Sequence, residues 1–352
     1  DEARALAQAG AGSMVDIDQE HIIAVDSLLT IVNPNNPMNS ISISDLARIY
    51  SGDVTNWAQL GGENLPIDVF TRPESSGTRG VFYGRVFGGN FDTGNAVILD
   101  SNAEMAEAIL QNSNAIGFVG YAFLNGAKAL NIISECGIET SPTAFGAKTE
   151  EYALQRRLYL YTREDMANET ASQFIEFATS HAADGVVEKA GYISLGIELI
   201  SQEIIRARIE SDIETSTSVF EQGVMRELLV ELFQWDRLST TFRFASGSNN
   251  LERKSQLDLV RLVEHLRDLP AGTGVALVGF TDSDGAFAAN RTLSERRADE
   301  AVDAVLAYAE GQVDHIDFTT FGFGELASAA CNTSNEGKHV NRRVEVWIRG
   351  GA

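Results

Sequence analysis

Apolar residues in the first half of the chain switch repeatedly between strand-like alternation and helical spacing. A β-branched apolar run over 21–32 predicts a buried strand, and the turn-forming residues 33–37 end it. Because strands and helices alternate, the pattern predicts an α/β lobe with a mainly parallel sheet. The other predicted strands are 66–70, 116–119 and 157–162, and the predicted helices are 1–10, 45–50 with Ser44 as N-cap, 81–87, 105–110, 169–180 and 184–190.

The pattern changes after residue 197. Residues 198–235 are rich in charge, and apolar residues recur at helical spacing over 219–233, which predicts a helical connector between two domains. The same helix could equally belong to the core of the second domain. Residues 236–352 predict a compact α+β sandwich, and residues 1–197 form the first domain. The second domain has predicted strands at 237–244, 275–280, 318–323 and 344–348 and predicted helices at 252–268 and 293–309.

Composition restricts the partners of this 352-residue chain. Fifty acidic and 27 basic residues give a net charge of −23, which argues against nucleic acid and anionic membranes as partners. No apolar run is long enough to cross a bilayer. Cys136 and Cys331 are the only cysteines and fall in different predicted domains, so the sequence supports neither a disulfide framework nor a zinc site.

Residues 71–79 join a predicted strand to a predicted helix and carry candidate chemistry. This position places Ser76, Gly77 and Thr78 at a helix N-terminus, where backbone N–H groups lack internal partners and the helix dipole is positive. Arg72 adds a forked positive charge. Together these residues predict a small site for a tetrahedral oxyanion. The alternative is that Ser75 or Ser76 is only an N-cap and Gly77 only a tight turn.

The motif Arg-x-x-x-Ser-Gly-Thr at 72–78 resembles the periplasmic phosphate-binding proteins that serve phosphate ABC transporters. The likeness runs in order from about Ala24 to Leu195. It implies inorganic phosphate as ligand of Arg72, Ser76, Gly77 and Thr78, an ABC permease as partner and a periplasmic location in a Gram-negative envelope. The supporting segments are 49–52, 55–57, 60–62, 115–121, 158–161 and 191–195.

In that family a further N-terminal segment precedes the equivalent of residues 24–26. The segment supplies anion-contacting groups and a carboxylate that accepts the proton of phosphate. Nothing here matches it, and Asp26 does not correspond to that carboxylate. We therefore expect the chain to carry only part of the binding cleft, and the choice among phosphate, sulfate, phosphonate and molybdate stays open.

The second half of the chain resembles the OmpA-like peptidoglycan-binding domain over residues 240–349. The matching segments are 279–282, 290, 293–298, 321–325 and 341–346, and the departure is Phe280, where the family commonly has His. The resemblance implies that the ligand is the diaminopimelate side chain of peptidoglycan, which carries an ammonium and a carboxylate on one carbon.

By this resemblance, Asp282 holds the ammonium of diaminopimelate and Arg297 holds its carboxylate. Asn290, Asn341 and Arg342 would order the loop around them. The alternative is that Asp282 and Arg297 only pair with each other on the surface.

These patterns predict a cell-envelope binding protein in which an oxyanion-binding module is anchored to peptidoglycan. The sequence predicts no enzyme, no catalytic residue, no cofactor and no metal site. Ser76 lacks a nearby His or acid in the pattern, and the acidic loop at 281–285 has Leu293 where a calcium loop needs its closing Glu. The alternative function is a wall-attached scaffold without anion binding.

Overall fold

A computed structural model describes residues 2–10, 12, 19–163, 168–201, 206, 209–210, 213–214, 218–244 and 251–349. The chain divides into two compact units, 1–195 and 196–352. Among the described residues, no helix is long and apolar enough to cross a membrane.

The first unit contains short strands and helices around one long central strand. Its helices are α1 (Glu2–Gln8), α2 (Ile43–Ser51), α3 (Gly77–Phe87), α4 (Asn102–Gln111), α5 (Ala144–Lys148), α6 (Glu169–Thr179) and α7 (Asp184–Lys189). Its strands are β1 (Glu20–Val32), β2 (Ser40–Ser42), β3 (Asp68–Thr71), β4 (Val97–Ile98), β5 (Ala115–Gly120), β6 (Lys128–Ala129), β7 (Asn131–Ile133), β8 (Glu139–Thr140) and β9 (Gln155–Tyr161). Short 3-10 helices lie at Trp57–Leu60, Tyr121–Phe123 and His181–Ala183.

The main sheet of this unit has the strand order β4-β3-β5-β1-β6, with β9 also paired to β1. The α/β class is confirmed, but the sheet is mixed rather than mainly parallel. Strands β4 and β5 run parallel to β3 because helices connect these strands, whereas β5, β6 and β9 all run antiparallel to β1. Strand β1 is buried over its last nine residues and forms the centre of the core.

Helix ends in this unit follow from capping side chains. Ser42, not the predicted Ser44, is the N-cap of α2, because its Oγ accepts a hydrogen bond from the Asp45 N–H at 2.9 Å. The helix ends at Gly52, whose φ of 86° suits glycine. Apolar side chains of α2 and α3, including Leu46 and Phe82, pack with β1 in one core cluster.

The second unit contains helices and a five-stranded sheet. The helices are α8 (Val219–Glu231), α9 (Arg253–Arg267), α10 (Phe287–Ala309) and α11 (Asn335–Asn341). The strands are β10 (Leu199–Ile200), β11 (Asp236–Phe242), β12 (Gly274–Gly279), β13 (Asp317–Gly322) and β14 (Val344–Arg349), in the order β10-β11-β14-β12-β13. Only β12 and β13 are parallel among these paired strands, so the predicted α+β architecture is confirmed.

The segment predicted as a connector contains α8. Its buried residues Val224, Met225 and Leu228 pack with Trp347 of β14 in a core cluster of the second unit. The helix therefore belongs to that core, which is one of the two arrangements that the sequence left open. Residues 202–205, 207–208, 211–212 and 215–217 of the predicted connector lie outside the described part of the chain.

Glycines let α10 pack directly against the sheet. A Cβ added at Gly279 would lie 1.9 Å from the carbonyl oxygen of Ser294, and one added at Gly322 would lie 2.4 Å from the backbone nitrogen of Glu295. Both distances are shorter than real contacts allow. Residues 279 and 322 must therefore lack side chains for α10 to lie this close to β12 and β13.

Candidate functional site

The N-terminus of α3 carries the predicted oxyanion loop. Ser76 is the N-cap of α3, and its Oγ accepts a hydrogen bond from the backbone N–H of Arg79 at 3.3 Å. The N–H of Gly80 donates to the Ser76 carbonyl at 3.0 Å. Within the described ranges, the N–H groups of Gly77 and Thr78 have no acceptor. Two backbone donors therefore remain at the positive end of the helix, an arrangement that suits an anion.

The predicted loop residues differ in their exposure. Gly77 is exposed, whereas Thr78 is buried, so the backbone of Gly77 is accessible to a ligand. The carboxylate of Glu74 is almost fully exposed and lies 3.8 Å from the Nη1 atom of Arg79. This exposed acid is screened by water and by Arg79, so it opposes an incoming anion only weakly.

Arg72 lies at the end of β3, but its guanidinium is directed toward the start of α4. Its Nε donates to the Leu99 carbonyl at 3.1 Å, its Nη2 to the Asp100 carbonyl at 2.9 Å and its Nη1 to Asn102 Oδ1 at 2.7 Å. Desolvation lowers the pKa of Arg72. The nearby carboxylates of Glu104 and Asp100 act in the opposite direction and raise it. These bonds use three of the five guanidinium N–H donors and fix the side chain toward the start of α4.

The guanidinium close to the oxyanion loop belongs instead to Arg156 of β9, a residue that the sequence did not indicate. A Cβ added at Gly77 would lie 3.8 Å from Arg156 Nη1. The Nε and Nη2 atoms of Arg156 donate to Asp26 Oδ2 at 3.0 and 2.7 Å. A signal was present in the sequence, because Asp26 is the one charged residue in the buried run 22–32. A buried carboxylate requires a partner.

The second predicted site is centred on Asp282, three residues beyond the end of β12. Its Oδ2 accepts a hydrogen bond from Arg342 Nη1 at 2.7 Å, and its Oδ1 accepts one from the Asp284 N–H at 3.1 Å. Asn290 Nδ2 donates to Glu325 Oε2 at 2.6 Å and lies 3.4 Å from the Asp282 carbonyl oxygen. The carboxylate of Asp282 is therefore held by Arg342 at the end of α11 and by the Asp284 N–H, while Asn290 of α10 contacts the main-chain carbonyl of Asp282.

Arg297 faces this site from α10 without pairing to Asp282. Among the described residues it has no hydrogen-bond or ion-pair partner, and its guanidinium lies 5.8 Å from the centre of the Phe244 ring. Burial lowers the pKa of Arg297, nearby Arg342 lowers it further, and Asp282 opposes the shift. These effects place Arg297, Arg342 and Asp282 within electrostatic range of one another. Among the described residues, Asp282 and Arg297 do not form the surface ion pair that was the alternative to ligand binding.

Asn341 orders the neighbouring loop. Its Oδ1 accepts hydrogen bonds from the N–H groups of Ala329 and Ala330 at 2.9 and 3.0 Å, and its Nδ2 donates to the Ala330 carbonyl at 2.7 Å and to Asn332 Oδ1 at 3.0 Å. The side chain is fully buried and uses its donor and acceptor capacity locally. Asn341 can therefore act on a ligand only through the loop it holds.

The two sites offer different chemistry. The first presents unpaired backbone donors with a cation beside them, which suits a small anion. The second presents one fixed carboxylate and one guanidinium without a partner in the described chain, which suits a ligand with both charges. Across the described residues, no group of His, Cys, Asp and Glu is arranged to hold a metal ion.

Two protein-family models match the chain. A model described as a PBP superfamily domain matches residues 4–182, and a model of the OmpA family matches residues 243–342. Both resemblances seen in the sequence are thereby confirmed, including their order along the chain.

Curated relatives match the N-terminal half. The phosphate-binding protein PstS of Borreliella burgdorferi is 27% identical over 186 residues, which cover 50% of this chain and 66% of the relative. The PstS protein of Bacillus subtilis is 29% identical over 175 residues, which cover 49% of this chain and 57% of the relative. The chain thus spans less than two thirds of the length of either relative.

A solved structure also matches this half. It is an ABC-type phosphate transport receptor from Vibrio cholerae, which is 31% identical, with a TM-score of 0.44, over 49% of this chain and 71% of that chain.

Proposed function

Because this chain belongs to the PBP superfamily and carries an OmpA family domain, we propose that it is a cell-envelope binding protein with two ligands. The N-terminal half binds a tetrahedral oxyanion, with inorganic phosphate as the ligand indicated by the names of its relatives. The C-terminal domain binds peptidoglycan. Binding, rather than catalysis, is the role of both halves.

The observation that carries the first part is the N-terminus of α3. The N–H groups of Gly77 and Thr78 have no acceptor among the described residues, and they follow the N-cap Ser76. Donors at a helix N-terminus bind anions because the partial positive charge and the N–H directions reinforce each other. Arg72 contributes by holding the segment 99–102 beside the end of β3. Backbone donors act at short range, so the net charge of −23 does not prevent anion binding.

The second part rests on the charges around Asp282. Diaminopimelate carries an ammonium and a carboxylate on one carbon, so its recognition requires an anion and a forked cation close together. Asp282 supplies the anion and Arg297 the cation, while Arg342, Asn290 and Asn341 hold the surrounding loop.

The two halves together indicate a place in the cell. Phosphate uptake or sensing through an ABC permease would place the N-terminal half in the periplasm, and the C-terminal domain would keep it at the wall. The envelope of a Gram-negative bacterium, whose peptidoglycan contains diaminopimelate, fits both ligands.

Titration calorimetry tests the oxyanion site. Wild-type protein titrated with inorganic phosphate is expected to release binding heat, and the Ser76→Ala variant is expected to lose about 0.5–1.5 kcal/mol of binding free energy, because one neutral donor is removed. The matched control is Ser42→Ala, which removes the N-cap of α2 and hence comparable helix stability, but no donor near α3. Absence of heat with the wild-type chain would contradict anion binding and favour the wall-attached scaffold.

A further inference from the structure

Arg156 lies beside the oxyanion loop with part of its guanidinium uncommitted. Its Nε and Nη2 atoms donate to Asp26, but its Nη1 atom has no acceptor among the described residues. This same atom lies 3.8 Å from where a Cβ of Gly77 would be. The side chain of Arg156 is one-quarter exposed, so a ligand can reach it. The free donor of a fixed cation is therefore directed toward the start of α3.

Asp26 holds this cation firmly. Asp26 and Arg156 are directly opposite each other in the antiparallel pairing of β1 with β9, so their side chains lie on the same face of the sheet. The carboxylate is 2% exposed, and its Oδ1 also accepts a hydrogen bond from the Tyr121 N–H at 3.3 Å. A Cβ added at Gly120 would lie 3.4 Å from both carboxylate oxygens, so the carboxylate packs directly against the backbone of β5. This packing leaves Asp26 little freedom to move.

We infer that Arg156 is a specificity-determining ligand of the oxyanion site, and that Asp26 positions it. The inference rests on the proposed oxyanion binding and names the residue that supplies its positive charge. Each nitrogen of the Arg72 guanidinium bonds to residues 99–102, whereas Nη1 of Arg156 makes no bond among the described residues and lies beside Gly77. A guanidinium makes this division possible, because its fork can serve two partners at once.

A purely structural role for the pair leads to different expectations. Buried ion pairs between neighbouring strands occur in many proteins, and breaking one lowers stability whether or not a ligand is present. Arg157 provides the comparison within this chain. It is the next residue on β9, its side chain lies on the opposite face of the strand, and it pairs with the buried carboxylate of Glu150.

The test compares Arg156→Gln, Arg156→Lys and the control Arg157→Gln in the full chain, by calorimetric titration with inorganic phosphate. Circular dichroism and thermal unfolding of each protein report the folded fraction. We expect Arg156→Gln to weaken phosphate binding about 10- to 150-fold, the range of one charge-assisted hydrogen bond. The control Arg157→Gln is expected to lower the melting temperature and leave the affinity within twofold of wild type.

The lysine variant separates a positioned donor from a distant charge. Lysine keeps the charge but has a single nitrogen, which the buried Asp26 carboxylate will hold, so Arg156→Lys is expected to lose nearly as much affinity as Arg156→Gln. Adding Asp26→Asn should release this lysine. With Asp26→Asn added, phosphate affinity should rise more in the Arg156→Lys variant than in the Arg156→Gln variant. In the glutamine variant the added change only removes a negative charge, whereas in the lysine variant it also frees the ammonium. If Arg156→Gln does not fold, the comparison of Arg156→Lys with and without Asp26→Asn still tests the inference.

Each outcome has a defined meaning. Wild-type affinity in Arg156→Gln would overturn the inference and leave the proposed oxyanion site in place. Wild-type affinity in Arg156→Lys alone would show that charge suffices and would overturn the positioning by Asp26. Absence of phosphate binding by the wild-type chain would remove the proposed function and the inference with it.

Discussion

Replacing Asp282 by Asn, or Arg297 by Gln, is expected to abolish sedimentation of the protein with insoluble peptidoglycan. Each change removes one of the two charges that face the zwitterionic end of diaminopimelate. Losing one partner of a desolvated charge pair costs about 2–5 kcal/mol of binding free energy, because the ligand group that it faced is left unpaired. The two changes act on one ligand, so the double variant should lose little more than either single variant.

The fold should survive both changes. Asn at 282 retains an oxygen that can accept the hydrogen bond from Arg342, and Arg297 has no ion-pair partner among the described residues. The neighbouring Arg296 provides the matched control, since it is exposed on α10 and pairs only loosely with Glu300 at 3.7 Å. Arg296→Gln should sediment like wild type.

Two results would remove the peptidoglycan assignment. One is retained sedimentation of both site variants, with circular dichroism confirming that they are folded. The other is equal binding of the wild-type chain to walls that contain lysine in place of diaminopimelate.

Replacing Glu345 by Gln is expected to destabilise the second unit by about 3–5 kcal/mol, the usual cost of breaking a buried ion pair. Glu345 is almost fully buried on β14. Its Oε1 accepts a hydrogen bond from Arg343 Nε at 2.8 Å, and its Oε2 lies 3.2 Å from Arg237 Nε and accepts one from Trp347 Nε1 at 3.0 Å. Removal of this carboxylate takes away an ion-pair partner of two buried guanidinium groups, those of Arg237 and Arg343.

Thermal or denaturant unfolding of the full chain measures this loss, because the transition of the second unit should shift to lower temperature or denaturant concentration. The control is Glu231→Gln, which removes a carboxylate from the exposed end of α8 in the same unit. Equal stability of Glu345→Gln and the control would contradict the assignment of Glu345 as the central charge of this buried cluster.

Local pattern was sufficient to predict most of the fold. The Ser76 N-cap, the strand at β1 and the helix at α9 follow from capping chemistry and apolar spacing, both of which act over a few residues. Longer helices were harder to delimit, and α10 begins at Phe287 rather than at Leu293. Its first turns contain small and polar residues, and they are held by contacts with β12 and β13 that the local sequence does not record.

Strand directions and cross-strand contacts could not be predicted in the same way. The mixed sheet arises because β5 and β6 flank β1 in antiparallel pairing, a long-range choice that the alternation of strands and helices does not specify. The antiparallel pairing of β9 with β1 is equally long-range, and it creates the contact between Asp26 and Arg156, which are far apart in sequence. Sequence reasoning therefore identified the donors at α3 but missed the cation beside them.

The predicted peptidoglycan residues show a related limit. The family resemblance identified Asp282, Arg297 and Arg342 together, because the motif segments preserve their order. It could not say which of the two arginines bonds to Asp282 in the unliganded chain. The structure pairs Asp282 with Arg342, and this leaves Arg297 available to a ligand.

Sedimentation of radiolabelled inorganic phosphate with insoluble peptidoglycan tests most directly whether one chain binds both ligands. The account predicts that label appears in the pellet when the wild-type chain is present, and that it stays in solution with Asp282→Asn, which keeps the oxyanion site but loses the wall. Protein in the pellet without label would contradict the account, because the chain would then bind the wall and carry no oxyanion.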